Sequence, residues 1–223
     1  MSMAEIQDKI LLAALGHVPF DGWTEKTLAA ALDDAGFGRE KAVSAFPGGT
    51  ADLIAHFSAY ADRQMVAAMQ ELDLESMRVR DRIAAGVRLR LEWLSPHHEA
   101  VRRATAWLAL PMNVPLAIRL TAVTCDEIWH AAGDRSVDFN YYTKRGLLAP
   151  VYTATVLYWL ADSSEGSTET WAFLDRRLSD VLKIPRLQSR LVKRLERTAR
   201  YFKKSVGRRA SGYAPGPFGT RPR

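Results

Sequence analysis

The sequence has a single cysteine and no long apolar run, and each of these features excludes several classes of protein. No stretch in the 223 residues approaches the ~18 consecutive apolar residues of a membrane-spanning helix. The first residues show no basic segment followed by an apolar one, so we expect no secretory signal. Cys125 is alone, so it can form no disulfide within the chain and no cysteine-based metal site, as is typical of a reducing compartment. We therefore expect a cytoplasmic protein.

Catalytic motifs are missing as well. The chain contains no nucleotide-binding glycine loop, no G-x-S-x-G elbow and no zinc-ligand spacing. Glu127 and His130 have the Glu-x-x-His spacing of a di-iron bundle, but such a bundle needs two copies and further glutamates. The sequence has one copy, so we expect His130 to cap or pack near the end of its helix. We predict a non-catalytic protein without a metal or a cofactor.

Charge is unevenly distributed along the chain, whose net charge is +6. Residues 183–223 hold thirteen Lys and Arg and one acidic residue, Glu196, a local net charge of +12. Residues 1–182 hold 18 basic and 24 acidic residues, a net charge of −6. An acidic body therefore carries a basic tail, and a polyanionic partner is expected to bind at the C-terminus.

Apolar residues recur at helical spacing to about residue 182, and no β alternation appears, which predicts an all-α fold. We expect the first helix to be interrupted between Gly16 and Gly22, because that segment contains Pro19. The pattern divides the chain into a helix-turn-helix-like head with a connecting helix (1–72), a helical ligand-binding bundle (73–183), and a basic amphipathic helix with a disordered tail (184–223).

The head resembles the helix-turn-helix domain of the TetR repressor family. The matching features are residues 10–15 (ILLAAL), the turn at Gly36, and residues 46–53 (FPGGTADL). Charge argues against DNA as a partner, because residues 1–60 carry four basic and eight acidic side chains. The predicted recognition helix, residues 39–45, also has few groups that could read base edges. We expect no specific DNA binding; the alternative is a TetR-type, ligand-responsive transcription regulator.

Residues 129–145 (WHAAGDRSVDFNYYTKR) combine a helix end, a Gly-Asp turn and a new helix rich in aromatic and charged groups. Asp138 is suited to cap that new helix. One interpretation is a packed corner that buries Trp129, Phe139 and Tyr142. The other is an exposed surface for a protein partner.

This segment closely resembles the coenzyme Q (ubiquinone) biosynthesis accessory family, the ninth Coq protein of mitochondria and its proteobacterial relatives. The resemblance extends over about residues 77–182 and includes residues 108–115 (LALPMNVP), 162–164 (DSS) and 170–177 (TWAFLDRR). It implies a homodimer with a TetR-like fold that does not bind DNA. It also implies an isoprenoid lipid or quinone bound in the helical body, and assistance to the demethoxyubiquinone hydroxylase.

The resemblance places the partner-binding surface of the family on five residues of this chain. They are Asp138, Tyr141, Tyr142, Thr143 and Arg145. Tyr141 stands where the family commonly has Trp, and both are amphipathic aromatic residues suited to an interface. A general lipid carrier without an enzyme partner is the further alternative.

A lipid pocket needs an apolar cavity between helices, and Pro111, Pro115 and Pro150 are able to hold helices apart. The candidate lining residues are apolar or small polar residues of the neighbouring segments, and each of them could instead belong to a solid core. They are Met112, Leu116, Leu120, Val151, Thr155, Tyr158, Trp159 and Leu174, with Leu157 beside them.

Residues 185–206 have the pattern of an amphipathic helix with an apolar stripe and a dense cationic surround, as membrane-surface helices do. A helix docked on its own bundle and a coiled-coil seam are the alternatives. The predicted membrane-binding residues are Leu191, Arg194, Leu195, Arg197, Phe202 and Lys203. We expect a peripheral protein on an anionic surface, the inner face of a bacterial plasma membrane.

Overall fold

The computed structural model describes residues 1–135 and 139–181, with the side chains of residues 139–141 excepted. The described ranges contain nine α-helices and no strand, which confirms the predicted all-α class. The helices are α1 (Met3–Asp21), α2 (Glu25–Asp34), α3 (Glu40–Ala45), α4 (Thr50–Gln70), α5 (Val79–Leu94), α6 (His98–Leu108), α7 (Val114–Ala131), α8 (Phe139–Ala161) and α9 (168–181). Short 3₁₀ turns lie at Leu74–Ser76, Ser95–His97, Pro111–Asn113 and Glu165–Ser167.

Residues Met1–Ser179 form one compact unit. A second unit, Asp180–Arg223, has only its first two residues within the described ranges. Within those ranges, no single helix is long and apolar enough to span a membrane; one bent pair, Val79–Leu108 with Pro111–Ala131, meets the length and composition test together.

The first helix is longer than the sequence predicts. A capping box between Ser2 and Glu5 starts α1, and the helix then continues through Gly16 and Pro19 to Asp21. The predicted interruption is therefore wrong. Pro19 lies in the last turn, where its missing N–H removes only one intrahelical bond. Val18, fully buried beside it, extends the apolar stripe of the helix, and burial outweighs this local cost.

The following turns agree with the predicted head. Thr24 caps α2 by accepting a hydrogen bond from the N–H of Thr27, and Gly36 adopts a φ of 73° between α2 and α3. Helix α3 is short, and α4 begins directly after the Phe-Pro turn. The indole N–H of Trp23 donates to the carbonyl of Ala100 at 2.9 Å, which fixes the turn between α1 and α2 against α6.

The core of the body forms where α4, α5 and α7 meet. Gly86 of α5 allows this close approach, because a Cβ there would lie 3.1 Å from Sδ of Met69 and 3.2 Å from Cγ2 of Ile128. The buried residues of α4 and α5 form apolar stripes at helical spacing. They are Ile54, Phe57, Ala61, Met65 and Met69 on α4, and Ile83, Val87, Leu91 and Leu94 on α5.

Candidate functional site: an apolar cavity with a polar wall

Helices α4 to α8 enclose an open cavity of about 390 Å³. Most of its lining is apolar. The lining residues are Ile54, Phe57, Ser58, Arg90, Leu94, Val101, Ala104, Thr105, Leu108, Ala109, Val114, Ala117, Leu120, Thr121, Thr124, Tyr152, Thr153, Val156 and Leu157. Pockets for small molecules typically have volumes of about 300–1,000 Å³, so the cavity is large enough for a ligand.

Exposure of the lining changes from one side of the cavity to the other. Val114 and Leu157 are 40% and 52% exposed and lie at the mouth, where apolar side chains face solvent. Ile54, Leu94 and Val101 are buried and form the interior. A ligand can therefore lie partly inside the body and extend outward over an apolar rim.

One wall of the cavity carries Arg90, which forms a buried ion pair with Asp62 behind it. Arg90 is, among the described residues, the only charged residue that lines the cavity, and its Nε donates to Oδ1 of Asp62 at 2.6 Å. Both side chains are almost fully buried. The hydroxyl of Thr124 lies 3.1 Å from each carboxylate oxygen of Asp62, and Nη2 of Arg90 donates to Oγ of Ser58 at 3.0 Å. The pair is thus held by Thr124 on the side of Asp62 and by Ser58 on the side of Arg90.

Tyr152 lies beside this pair, with the guanidinium carbon of Arg90 5.5 Å from the centre of its ring. Burial raises the pKa of Tyr152 to about 12, so its hydroxyl remains protonated at neutral pH and acts as a hydrogen-bond donor. Burial opposes the charge of Arg90, but the neighbouring Tyr152 and Asp62 raise its pKa overall. The wall therefore presents a permanent cation and a neutral phenol.

Most of the residues that the sequence predicts to line a pocket do not line this cavity. Leu120 and Leu157 line the cavity, whereas the other seven candidates do not. Met112 is 80% exposed on the Pro111–Asn113 turn, and Leu116 is half-buried on α7. The remaining five belong to other contacts of the bundle. They are the buried Val151, Thr155, Trp159 and Leu174, and Tyr158, whose hydroxyl bonds to Glu169 and whose ring stacks on Phe173.

The difference on α8 is a rotation of about one residue. The sequence-based prediction placed the cavity on the face of α8 that carries Val151 and Thr155. The structure buries that face against the bundle. The cavity lies on the adjacent face, which carries Tyr152, Val156 and Leu157. One residue corresponds to about 100° around a helix, so neighbouring faces meet entirely different surroundings.

The sequence-based prediction missed the ion pair of Arg90 and Asp62, although the sequence contains a signal for it. Arg90 follows Val87 by three residues and precedes Leu94 by four, so it lies on the buried stripe of α5. Asp62 lies in the same way beside the buried stripe of α4. A charged residue at a core position is unusual unless it is paired, and two such positions on adjacent helices indicate an ion pair.

The corner after α7 has the predicted form. Gly133 adopts a φ of 90°, and the N–H of Asp134 donates to the carbonyl of Trp129 at 2.9 Å, which closes the helix end. Trp129 is buried and donates its indole N–H to the carbonyl of Lys144 at 3.2 Å. Tyr142, by contrast, is 73% exposed, so the fully packed corner is wrong for this residue.

The other predicted partner-binding residues have mixed positions. Arg145 is only 12% exposed at its side chain, and it forms ion pairs with Asp126 and Asp134 that join α8 to α7. Thr143 is half-buried. Asp138 and the side chain of Tyr141 lie outside the described residues, as do all six predicted membrane-binding residues: Leu191, Arg194, Leu195, Arg197, Phe202 and Lys203.

Metal-binding groups do not converge in the described part of the chain. No cluster of three or more His, Cys, Asp or Glu side chains occurs there. His130 is exposed in the last turn of α7, and Cys125 is a buried, free thiol whose pKa is raised to about 12 by burial.

Two family models match the chain. The model "Ubiquinone biosynthesis protein COQ9, N-terminal domain" matches residues 4–31 in the head, and the model "COQ9" matches residues 114–185, which include α7, α8 and their corner. The chain belongs to the COQ9 family. The match covers the helices that carry much of the cavity, including Leu120 and Tyr152.

Curated COQ9 proteins align along most of the chain. The ubiquinone biosynthesis protein COQ9 of Rattus norvegicus is 36% identical over 188 residues, which cover 81% of this chain and 60% of that protein. The human protein is 35% identical and has 59% of its length covered. Both are named as mitochondrial. The chain thus spans about 60% of the length of these relatives.

A solved structure with a similar fold is a TetR transcriptional regulator from Nitrosomonas europaea ATCC 19718. Its TM-score is 0.63 at 20% sequence identity, and the match covers 80% of this chain and 98% of the regulator. This likeness confirms the predicted TetR-like fold. It carries no information about function, because folds are shared by proteins with unrelated activities.

Proposed function

We propose that this chain is a non-catalytic, lipid-binding accessory protein of ubiquinone biosynthesis. It binds an isoprenoid lipid or a quinone intermediate in its helical body at a membrane surface. From there it assists the demethoxyubiquinone hydroxylase, and it acts as a homodimer without a cofactor. The observation that carries the proposal is the apolar cavity between α4 and α8 in a chain of the COQ9 family.

The shape of the cavity supports a lipid rather than a compact polar metabolite. Its interior is mainly aliphatic, and burial of apolar ligand surface there is favourable by about 25 cal/mol per Å². Its mouth has exposed apolar residues, Val114 and Leu157. A ring with a short isoprenoid segment fits inside, and the rest of a long chain continues over this rim.

The exposed side chain of Tyr142 supports a protein-binding surface at the start of α8. A large aromatic side chain that is 73% exposed has the character of an interface anchor. The segment around it is held firmly, since Lys144 and Arg145 both form ion pairs with the buried Asp134. We assign the contact with the hydroxylase to this surface.

The basic tail supports the membrane contact on the basis of its sequence. Residues 183–223 carry a net charge of +12 beside an acidic body. Cations near an anionic leaflet contribute about 1 kcal/mol each. The tail therefore gives the protein a binding energy for anionic lipid that the rest of the chain lacks.

Lipid binding in the cavity can be tested with a variant whose side chain fills it. Ala117 lines the cavity on α7, whereas Ala122 on the same helix is exposed. We expect Ala117→Trp to abolish binding of a ubiquinone with a two-isoprene tail, measured by calorimetric titration, because the indole occupies the ligand volume. Ala122→Trp adds the same side chain outside and should bind as the parent does. Equal binding by both variants would contradict the proposal.

The second candidate function is a ligand-responsive transcription regulator, which the TetR-like fold favours. The acidic head argues against it, with twice as many acidic as basic residues in positions 1–60. A mobility-shift assay with DNA from upstream of the gene separates the two functions. Sequence-specific retardation that requires residues 24–46 would favour the regulator.

A further inference from the structure

Two hydrogen-bond donors on this wall, Nη1 of Arg90 and the hydroxyl of Tyr152, have no partner among the described residues. Arg90 uses Nε for Asp62 and Nη2 for Ser58, but no described residue accepts from its Nη1. The Tyr152 hydroxyl likewise forms no hydrogen bond with a described residue, although Tyr152 is only 8% exposed.

These donors are open to the cavity rather than enclosed. In the described ranges, the only fully enclosed side-chain nitrogen or oxygen without a partner is Nε of Arg80. Arg90 and Tyr152 are both buried residues, and both line the cavity. Unsatisfied donors in a mainly apolar site are costly unless a ligand or water accepts from them. They therefore indicate where a polar atom of the occupant lies.

Charge decides what kind of polar atom it is. Asp62 compensates the charge of Arg90 at 2.6 Å, so the wall as a whole is neutral. A phosphate ester there would add a buried, uncompensated negative charge, which is strongly unfavourable. An uncharged carbonyl oxygen accepts hydrogen bonds without adding charge, and it satisfies both donors.

We propose that Nη1 of Arg90 and the hydroxyl of Tyr152 donate to a carbonyl oxygen of an uncharged lipid head group, and that the neutral wall selects such lipids against anionic phospholipids. This inference rests on the proposed lipid binding and names the ligand class. A quinone ring bound to this wall directs its isoprenoid chain along the aliphatic lining toward Val114 and Leu157. The ring is recognised by hydrogen bonds and the chain by burial alone.

The experiment compares one hydroxyl on the wall with one elsewhere on α8. Tyr152→Phe removes the donor but keeps the ring beside Arg90. Tyr158→Phe is the matched control, because the Tyr158 hydroxyl bonds to Glu169 and does not line the cavity. Calorimetric titration is carried out with a ubiquinone bearing two isoprene units, with an isoprenoid hydrocarbon of similar length, and with a short-chain phosphatidylglycerol.

We expect Tyr152→Phe to weaken quinone binding about five- to tenfold, the usual effect of one hydrogen bond, and to leave hydrocarbon binding unchanged. Tyr158→Phe should alter neither, and phosphatidylglycerol should bind more weakly than the quinone. Equal quinone binding by the parent and Tyr152→Phe, or tighter binding of phosphatidylglycerol, would overturn the inference while lipid binding stands. Failure of both quinone and hydrocarbon to bind would overturn the proposed function itself.

A second variant tests the guanidinium without leaving Asp62 unpaired. Arg90→Lys keeps a cation opposite the carboxylate but removes the planar group that reaches both Asp62 and the cavity. With its fold verified by circular dichroism, this variant should lose quinone affinity relative to the hydrocarbon. Loss of affinity for both ligands in equal measure would show that Arg90 has only a structural role.

Discussion

Nε of Arg90 lies 2.6 Å from Oδ1 of Asp62, and the two side chains are 6% and 5% exposed. Removal of two charges from water costs several kcal/mol per ion, and a well-packed apolar pair would often be as stable. Arg90 of this pair nevertheless lines the cavity between α4 and α8. We infer that its position serves the proposed ligand binding and not stability alone.

Loss of one partner of this pair should destabilise the protein strongly. Asp62→Ala leaves the buried guanidinium of Arg90 without its counter-charge, and we expect the free energy of unfolding to fall by about 3–5 kcal/mol. Arg63→Ala is the neighbouring control, since Arg63 is half-exposed and pairs with Asp8 at the surface. Its loss should cost less than about 1 kcal/mol. Urea denaturation measures both, and similar small losses would refute a tightly coupled pair.

Stability should also depend on the protonation of His56. Its side chain is 12% exposed and lies 2.7 Å from Asp8, and burial lowers its pKa despite this partner. The unfolded chain therefore takes up the proton at a higher pH than the folded protein does. The contribution of neutral His56 is complete above about pH 6.5 and is lost as the pH falls toward the folded pKa.

We expect the melting temperature to fall between about pH 7.5 and pH 5.5, and the fall to be smaller in His56→Gln. Differential scanning calorimetry of both proteins across this range measures the difference. His17→Gln is a suitable control, because His17 pairs with Asp34 at the surface. An identical pH dependence in the parent and His56→Gln would contradict the assignment.

The thiol of Cys125 should be inert in the folded protein. It is fully buried, and burial raises its pKa to about 12, whereas a thiol reacts as its thiolate. We expect a disulfide reagent at about pH 8 to label the native protein only at the rate at which the body opens. Labelling in urea should be complete and fast. Rapid native labelling would show that the α4–α7 core opens readily.

Tyr142 should matter for the partner and not for folding. We expect Tyr142→Ala to weaken binding of the demethoxyubiquinone hydroxylase at least about tenfold, the effect of losing an interface anchor. Its effect on unfolding should stay within about 0.5 kcal/mol. Phe20→Ala is the control, since Phe20 is 84% exposed in the head. Unchanged hydroxylase binding by Tyr142→Ala would favour a general lipid carrier.

Much of the fold could be predicted from local signals. Thr24, Gly36 and the Phe-Pro turn mark helix ends whose chemistry depends only on neighbouring residues. Pro19 shows the limit of this reasoning, because the proline signal is local while the burial of Val18 that outweighs it is tertiary. The extent of α1 is therefore decided by packing.

The existence of a cavity could be predicted from the sequence, but the helix faces that line it could not. Helical periodicity identifies apolar faces, but it does not indicate which face meets another helix and which meets empty space. On α8 the two faces differ by one residue, with Val151 packed and Tyr152 at the cavity. Arg90 and Asp62 were missed because sequence distance hides their proximity: 28 positions separate two side chains that touch.

The most direct test of the central claim is native mass spectrometry of the gently purified protein, followed by solvent extraction and identification of the bound lipid. We predict isoprenoid quinones or their precursors at a fixed ratio per chain, and their loss in Ala117→Trp but not in Ala122→Trp. A lipid-free protein that also fails to take up added quinone would contradict the account.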